Sequence, residues 1–564
     1  MRYPLRLLVL VAGLLFVFAP LQAAKPKGWH DLGGTKIKGV PSDVIGPFAL
    51  FRDGLKKGQR VVLRGLAEED CRRFYQEITA NGPPAKSLAE ATGSITSHFE
   101  GRVRRVKEEK LVEADLRDQA EPEVLVVLYG HPHNGNSWRG LRNFTSVYWR
   151  FKRLLGDRIE FLFMGAANEP LEQTQIATSM YMPWLIGSAE LGRKSRVLSD
   201  PARSKTTHVM AISRNGAPII SGNAEDLEST LKIIDQLSEV VALMNPENPR
   251  NWKDRAHYGA AIRPVVYANG STKPELIGNP LRPAALRDYG VNQVDADLSL
   301  DATGKVTGVD LMPTASVPVK MVQPLKDALK RSAVFLPAMS GGAAVPGTFE
   351  YRLSVPAEDS VADADAAWLS GDKMQEVILN EWFVLRPINV TEDDFSGVAY
   401  TDQDGVMVMQ AVEVSNAKFT RTEQMSAFST NWFDAEGAAS VKAVEGQPVV
   451  IDGVTLEWEK IEGEMGFIDL QKGLGDLEYT IGYAWVEFDV PQSLPAWLGI
   501  GSDDGLKIWH NGELVHDKWI RRNSLIDDDI VPLTLTKGRN TLLIKIQNAW
   551  GDWSFISRLR IKSR

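Results

Sequence analysis

The stretch from Leu498 to His516 places the strongest constraint on the fold, because it has the pattern of a β-hairpin. Apolar and polar residues alternate in its middle, and Asn511-Gly512 is the pair that a two-residue type I′ turn requires. The chain then returns through a second strand that starts at Glu513. This part of the chain is therefore expected to be antiparallel β-structure.

Many further short strand patterns follow one another between residues 380 and 562. Strands of this number and spacing predict a β-sandwich or jelly roll over residues 375–564. The most specific positions are Tyr483, Trp485, Gly501-Ser502-Asp503-Asp504-Gly505, Trp509, Asn511-Gly512, Gly538, Asn540 and Trp553. On these residues the segment resembles the galactose-binding-like jelly-roll modules that are attached to many exported bacterial carbohydrate-related proteins. The resemblance implies contact with a glycan or a protein.

Asp503 and Asp504 form the polar cluster with the clearest chemical interpretation. Calcium binds about six to eight oxygen ligands, and two adjacent carboxylates beside a glycine turn can supply several of them. The segment resembles lectins of the protective-antigen type, in which such a pair holds calcium while the ion coordinates sugar hydroxyls. Asn523 or Asn548 could supply a further ligand. In the other interpretation, the two aspartates cap turns through their own backbone.

Tryptophan is dense in the same region, and exposed indole rings can stack on sugar rings. Strand alternation places Trp509 on the face opposite Leu506 and Ile508, without deciding which face is solvent-exposed. The candidate ligand-binding residues are Trp509, Asn511, Trp519 and Trp553, with Trp550 as a further indole.

The length of 564 residues exceeds what one core can organise, so about three to five domains are expected. The net charge of -8 is mild and unclustered, which argues against a nucleic-acid partner. The fold class expected is multidomain α/β and all-β, comprising a small β-barrel, a thioredoxin-like α/β domain, a TonB C-terminal-like α+β domain and the C-terminal sandwich.

Residues 1–24 have the pattern of an export signal, with basic Arg2 and Arg6, an apolar run and a small-residue cleavage site ending at Ala23 or Ala24. An uncleaved anchor is the alternative, but Pro20 and the short apolar run favour cleavage. No later run is long enough to span a bilayer, so a periplasmic, secreted or cell-envelope location without a membrane span is expected.

Residues 28–80 read as short strands followed by a helix, with a Trp-x-x-x-x-Gly opening at Trp29 and a Leu-x-x-Glu-Asp close at Leu66. They resemble the Sla homology domain, a Src-homology-3-like barrel whose members tend to bind other proteins; a structural spacer is the alternative. Residues 81–120 are expected to be a polar linker with one helix near 97–116.

Residues 121–245 begin with Val124 to Tyr129, an uninterrupted apolar run typical of a strand that is buried on both faces of a sheet. A helix near 137–155, strands at 159–164, 209–213 and 218–221, and a helix near 224–243 capped by Asn223 complete the pattern. This order resembles a thioredoxin-like domain.

Dithiol chemistry needs two cysteines at the start of the first helix of such a domain. This chain has His133-Asn134-Gly135-Asn136 there, and Thr206-Thr207 near the expected cis-proline. The sole cysteine, Cys71, lies in the preceding module and is expected to be a half-buried helix residue. His131-Pro132-His133 could supply two metal ligands or simply pack against Trp138.

Residues 245–264 are rich in helix breakers and are expected to be a linker. Residues 264–356 resemble the TonB C-terminal domain, on an alternating strand from Val294 to Leu300, an Asp301-Ala302-Thr303-Gly304 turn and a helix near 321–331. That resemblance implies a sheet edge that pairs with a partner peptide, and a docking or scaffold role. Residues 357–374 are acidic and alanine-rich, which predicts a solvated linker.

The sequence shows none of the landmark catalytic motifs, such as a Gly-x-Ser-x-Gly elbow, a Walker loop or His-Glu-x-x-His. The expected function is an exported, non-enzymatic binding or scaffold protein whose C-terminal jelly roll contacts a glycan or an envelope protein. The alternative is an enzyme: a thioredoxin-fold relic with a non-thiol activity, or a glycan hydrolase within the C-terminal sandwich, because glycosidase carboxylates follow no spacing rule in sequence.

Overall fold

The computed structural model describes most of the chain from residue 28 onward as a mixed α/β protein that is rich in sheet, with several separate sheets. The described residues are 28–30, 35–45, 47–52, 58–79, 95–107, 110–116, 119, 121–130, 135–165, 177–178, 182–195, 197–198, 207–214, 216–245, 247–287, 289–355, 361–369, 374–389, 398–401, 407–410, 413–414, 417–418, 428, 432–433, 435–451, 454–477, 480–518, 520, 522–548 and 551–562.

The first module consists of two small sheets and a helix around an aromatic core. Trp29, Phe51 and Phe74 meet edge to face, with ring centroids 4.9 to 6.0 Å apart. Cys71 is fully buried beside them, and its Sγ donates to the Leu63 carbonyl, so the expected half-burial of this residue is wrong. The elements are β1 (Trp29–His30), β2 (Lys36–Ile37), β3 (Val40–Ile45), β4 (Phe48–Arg52), β5 (Gly58–Val62) and α1 (Glu68–Thr79).

A seven-stranded sheet follows, in the order β12-β11-β8-β9-β10-β6-β7. The central strand β8 is buried at every position and runs parallel to β9, as the apolar run predicts. The elements are β6 (Val103–Lys107), β7 (Lys110–Glu113), β8 (Val124–Gly130), α2 (Gly135–Leu155), β9 (Ile159–Gly165), β10 (Leu185–Gly187), α3 (Ala189–Lys194), β11 (His208–Ser213), β12 (Pro218–Asn223) and α4 (Leu227–Met244).

Two sequence expectations about this region are wrong. Residues 103–113 form the paired strands β6 and β7 at the sheet edge, rather than part of a linker helix. Helix α4 begins three residues later than expected, and its cap is Asp226, whose carboxylate accepts from the Ser229 backbone N–H in a capping box.

Residues 249–266 are helical, where helix-breaking composition had predicted a linker. Helix α5 (Pro249–Val266) has Asn248 as its N-cap and Pro249 at its first turn, where the missing N–H of proline costs nothing. Trp252 of α5 packs with Ile277 and Leu336 of the next module, so this helix is part of the packed structure.

The third module packs helix α7 against an antiparallel sheet, β16-β15-β20. Residues of β15 alternate strictly between exposed and buried, as the sequence pattern predicts. The elements are β13 (Ser271–Thr272), β14 (Glu275–Gly278), α6 (Pro283–Arg287), β15 (Gln293–Leu300), β16 (Val306–Asp310), α7 (Val319–Ser332), β17 (Val334–Leu336), β18 (Ala338–Ser340), β19 (Ala343–Val345) and β20 (Gly347–Ser354).

The predicted solvated linker at 357–374 contains helix α8 (Val361–Leu369), and this helix is not solvated. Asp365 is 2% exposed and Trp368 is 1% exposed. Trp368 and Leu369 belong to the same apolar cluster as α2 and α4. Helix α8 thus fills the junction between the central sheet and the C-terminal strands.

The C-terminal unit consists of two sheets around a shared apolar core. One sheet has the order β27-β28-β22-β30-β35-β32-β33; the other has β21-β36-β31-β34, with β29 also paired to β36. The elements are β21 (Met374–Val377), β22 (Glu381–Asn389), β23 (Val398–Thr401), β24 (Met407–Gln410), β25 (Glu413–Val414), β26 (Ala417–Lys418), α9 (Ala435–Ser440), β27 (Pro448–Ile451), β28 (Val454–Glu462), β29 (Phe467–Asp469), α10 (Leu470–Leu474), β30 (Thr480–Val490), β31 (Leu494–Asp503), β32 (Leu506–His510), β33 (Glu513–Lys518), β34 (Asp529–Leu535), β35 (Gly538–Asn548) and β36 (Ser554–Lys562).

The hairpin that the sequence predicts is present as β32 and β33. Asn511 and Gly512 have φ of 50° and 88°, the positive values that a type I′ turn requires at both positions. Among the described residues, no helix is both long enough and apolar enough to cross a membrane.

Candidate functional site

The candidate site lies at the end of β31, where Asp503 and Asp504 leave the sheet. Segment 522–528 crosses over this end so closely that a Cβ on Gly501 would lie 1.9 Å from the Leu525 carbonyl oxygen. A glycine at position 501 is therefore what allows the crossing segment to approach the strand.

Asp503 and Asp504 are 7% and 3% exposed, and the peptide bond between them is cis. The Asp504 N–H donates to the Gln547 carbonyl at 2.8 Å, and the Arg522 N–H donates to Asp504 Oδ1 at 3.0 Å. Ser502 Oγ donates to the Asp504 carbonyl at 2.6 Å. The backbone on both sides of the carboxylate pair is thus held in place by hydrogen bonds.

Two amide oxygens at the end of β35 are buried and have no hydrogen-bond partner among the described residues: Gln547 Oε1, which lies beside Gly505, and Asn548 Oδ1, on the opposite face of the strand. The Asn548 Nδ2 donates to the Leu477 carbonyl at 2.6 Å, which fixes the orientation of the amide and leaves Oδ1 without a donor. An unsatisfied buried acceptor is costly, and a cation is one ligand that removes the cost. Asn523 differs, because its Oδ1 accepts from Arg142 at 2.9 Å.

The described residues contain no group of three or more His, Cys, Asp or Glu placed to hold a metal ion. Any calcium at Asp503 and Asp504 would therefore depend on amide, hydroxyl or main-chain oxygens for its other ligands. Gln547 Oε1, beside Gly505, is chemically suited to this role, because calcium prefers oxygen ligands of this type; a ligand role for Asn548 stays a prediction.

Arg522 holds the crossing segment to the strand. Its Nε donates to the Ser502 carbonyl at 3.2 Å, and its Nη1 pairs with both Asp528 and Asp529 at 2.7 Å. Lys518 Nζ pairs with Asp529 at 2.6 Å. Burial alone would raise the pKa of Asp529, but Arg522 and its other cationic neighbours hold it well below its ordinary range.

The same segment also contacts the central sheet's helix α2. The Ile526 N–H donates to Asn143 Oδ1 at 3.0 Å, and Ser146 Oγ donates to the Ile526 carbonyl at 3.1 Å. Arg150 Nη2 donates to the Asp527 carbonyl. Segment 522–528 is therefore bonded to the carboxylate loop on one side and to α2 on the other.

Below this segment lies a network of buried ion pairs, which we call the junction network. Arg150 Nε pairs with Asp365 of α8 at 3.1 Å, and Arg558 of β36 pairs with Asp527 and, at 3.0 Å, with Asp235 of α4. The further members are Arg153, Glu376 and Arg560. Sequence reasoning missed this network, because its members come from helices, strands and loops that are far apart in the chain.

The candidate tryptophans differ from the exposed rings that sugar stacking requires. Trp509 is 6% exposed and packs in an apolar cluster with Tyr483 and Trp485, while Trp553 is 1% exposed within the core between the two sheets. The expectation that these two indoles offer a face to a sugar is therefore wrong, because both faces of β32 are covered. Trp519 and Trp550 lie outside the described residues.

Asn511 occupies the hairpin turn, where its Oδ1 accepts from the Thr541 N–H at 2.8 Å. Its Nδ2 also lies 3.3 Å from Asn540 Oδ1. These bonds tie the turn to the neighbouring strand β35, and a ligand-binding role for Asn511 stays a prediction.

Residues 131–134, including the two candidate metal-ligating histidines, lie outside the described part of the chain, as does the Trp138 side chain. Cys71 is bonded to Leu63 within the first module. The sulfur thus lies in the core of the first module, and not at the start of α2.

A second buried polar group was missed by sequence reasoning. Lys507 and Lys545 face each other across β32 and β35, at 6% and 0% exposure, under the ring of Phe428. Lys507 pairs with Asp517 at 3.1 Å. Lys545 Nζ donates to the Phe428 carbonyl at 2.9 Å, and burial lowers its pKa to about 6.

No protein-family model matches the sequence, and no match was found among curated proteins. A β-glucuronidase from an uncultured Clostridium is similar over 34% of this chain and 30% of its own, at 12% identity and a TM-score of 0.19. A β-glucosidase from Kluyveromyces marxianus is similar over 20% of this chain and 15% of its own, at 11% identity and a TM-score of 0.16. The chain thus spans less than a third of either enzyme, and similarity at this level carries no argument about fold or function.

Proposed function

We propose that this chain is an exported binding protein whose C-terminal two-sheet unit, itself non-enzymatic, binds a glycan through calcium held at Asp503 and Asp504. The support comes from the carboxylate pair itself, which lies where the backbone is fixed and beside the amide oxygen of Gln547, which has no donor among the described residues. Calcium binds carboxylate oxygens, and would offer open coordination positions to sugar hydroxyls.

The burial of Trp509 and Trp553 supports recognition through polar contacts, rather than through aromatic stacking. A sugar held through its hydroxyls on calcium does not need a flat ring beneath it. We therefore expect selectivity to depend on the orientation of neighbouring hydroxyls, and to disappear when calcium is removed.

The architecture proposed for the rest of the chain follows the resemblances in the sequence. The β8-α2-β9 and β11-β12-α4 order supports a thioredoxin-like domain without a dithiol, and the α7-covered sheet supports a TonB C-terminal-like domain. The C-terminal sheets support a jelly roll. In this proposal the first three modules present the C-terminal unit or dock an envelope protein.

The experiment is a glycan array probed with the full chain, in calcium and after chelation. The full chain is needed because Arg558 of the C-terminal unit is paired with Asp235 of α4, and an isolated unit would lose this partner. We expect glycan signal in calcium only, and loss of the signal in Asp503→Asn/Asp504→Asn.

The matched control is Asp489→Asn, which removes an exposed carboxylate from β30 of the same unit. It should leave the glycan signal unchanged. Glycan binding that survives both chelation and the double substitution would rule out calcium at this loop, and the absence of any glycan signal would rule out the lectin function.

A further inference from the structure

A second polar cluster lies on the central sheet, away from the C-terminal unit. His208 is the first residue of β11, and Ser221 and Asn223 lie two residues apart on the neighbouring edge strand β12. In the strand register, His208 is opposite Asn223 and Met210 is opposite Ser221. The three side chains therefore share one face of the sheet.

Both ring nitrogens of His208 are within hydrogen-bond distance of these partners. Nδ1 lies 2.9 Å from Asn223 Oδ1, and Nε2 lies 2.9 Å from Ser221 Oγ. An amide oxygen can only accept, so Nδ1 carries the proton and Nε2 of the neutral ring does not. Ser221 Oγ–H must then donate to Nε2.

This tautomer has a chemical consequence. A serine hydroxyl that donates to an unprotonated imidazole nitrogen, while a third group orients the ring, is the arrangement of an activated nucleophile. Ser221 and Asn223 are exposed, so an external electrophile can reach the hydroxyl. His208 is half-buried beside Tyr129, which limits the orientations of the ring.

The cluster lies at the end of the sheet where helix α2 begins. His208 pairs with Tyr129 near the end of β8, and α2 starts after the short connection that follows β8. A Cβ on Gly140 of α2 would lie 2.2 Å from the Ala224 carbonyl oxygen, directly after Asn223. Helix α2 packs with Val209 and Ala211 on one face of the sheet, whereas His208, like Met210, lies on the other face.

We propose that Ser221, His208 and Asn223 form an acyl-transfer site that accepts small carboxylic esters. In the first step Ser221 Oγ bonds to the ester carbonyl carbon, and its proton passes to His208 Nε2. The carbon–oxygen bond to the alcohol then breaks, and the alcohol leaves with that proton. In the second step water attacks the acyl-serine, Nε2 takes the water proton and returns it to Ser221 Oγ, and a carboxylic acid is released.

This activity goes beyond glycan binding and resides in a different sheet from the carboxylate pair. It requires no metal ion and no cysteine. Removal of calcium, or the Asp503→Asn/Asp504→Asn change, should leave it unaffected, so the two proposals can fail separately.

The test uses the full chain with a fluorophosphonate probe, followed by peptide mapping, and with p-nitrophenyl acetate as the ester. We expect the probe on Ser221, and an at least tenfold loss of labelling and hydrolysis in Ser221→Ala and His208→Gln. Asn223→Asp should retain or increase both, because a carboxylate oxygen also accepts from Nδ1–H. Asn223→Leu should reduce both, because nothing then orients the ring.

The matched control is Ser299→Ala, an exposed serine on β15 of the third module. Thermal unfolding of each variant separates a loss of reactivity from a loss of folded structure. If the hydrogen bonds of His208 were only structural, the substitutions would lower the unfolding temperature without a specific loss of probe labelling. Absence of probe at Ser221, or equal labelling of wild type and a folded His208→Gln variant, would overturn the proposal.

Discussion

The junction network and the Lys507–Lys545 pair both bury charged groups, and they differ in how those charges are matched. In the junction network each guanidinium meets a carboxylate, as Arg558 does with Asp527. Burial alone would raise the pKa of Asp527 and lower that of Arg558, yet mutual attraction reverses both shifts. Lys545 is buried beside Lys507 and aromatic rings, and burial lowers its pKa to about 6.

The difference shows that an oppositely charged partner can outweigh burial. In the junction network mutual attraction favours the charged forms, whereas at Lys545 burial lowers the pKa and the neighbouring Lys507 lowers it further. The predictions below test this difference, from the largest expected effect to the smallest.

Removing one charge from the junction network should have the largest effect. Asp527→Asn removes the buried carboxylate that pairs with Arg558 and leaves this guanidinium with the partly exposed Asp235 and Glu376, so we expect a loss of about 3 kcal/mol in the free energy of unfolding. Asp527 has a φ of 53°, which asparagine also tolerates, so the change isolates the charge from the backbone. Urea unfolding measures the free energy of unfolding, with Asp489→Asn as the control. Equal stability of the two variants would show that the Asp527 charge does not stabilise the fold.

Lys545→Met is expected to raise the free energy of unfolding. The depressed pKa means that the wild type loses stability as the pH falls from 10.5 toward about 6, because the unfolded chain binds the proton more readily. The variant should gain about 1–3 kcal/mol at pH 7 and little at pH 10. A gain that is independent of pH would show that Lys545 is charged in the folded protein.

Asp43 is an intermediate case, because the cation that faces it among the described residues is Arg214, with an Nε–Oδ2 distance of 4.0 Å. Burial raises the pKa of Asp43 to about 6. Its contribution to stability is therefore complete below pH 3.8 and is lost as the pH rises through about 6. Asp43→Asn should remove this pH dependence, worth about 1–2 kcal/mol between pH 4 and pH 7. An unchanged slope in thermal unfolding between pH 4 and 7 would contradict the shift.

The smallest effect is expected at an exposed pair. Arg352 and Glu350 lie 3.3 Å apart, with side chains 77% and 76% exposed. Solvent and salt screen such a pair, so Arg352→Ala should unfold at the same temperature as the wild type. A clear fall in the unfolding temperature would mean that the exposure of an ion pair does not predict its contribution to stability in this protein.

Local patterns predicted the elements whose signal lies within a few residues. The apolar run at Val124, the alternation after Val294 and the Asn511-Gly512 turn all gave elements that the structure contains. Composition was misleading in two segments. Pro249 is a helix-breaking residue, yet it lies in the first turn of α5, where proline is tolerated. The acidic segment after residue 357 was expected to be solvated, yet its Asp365 is a buried ion-pair partner.

The candidate sites were predictable to different degrees. Asp503 and Asp504 stand out in the sequence, but the donor-free oxygens of Gln547 and Asn548 depend on strand pairing across the sheet. The His208 cluster could have been found from the sequence. If the strands on either side of Asn215-Gly216 pair residue by residue, position 208 falls opposite position 223, as it does in the sheet. The junction network has no comparable signal, because Arg150 and Asp527 are 377 positions apart.

The crossing segment 522–528 has one face on the carboxylate loop and the other on α2, with the Leu525 carbonyl almost touching Gly501. Lengthening it by even one residue would displace two surfaces at once. A ligand that shifted this segment would therefore change the contacts of the C-terminal unit with α2 as well as those of the carboxylate loop.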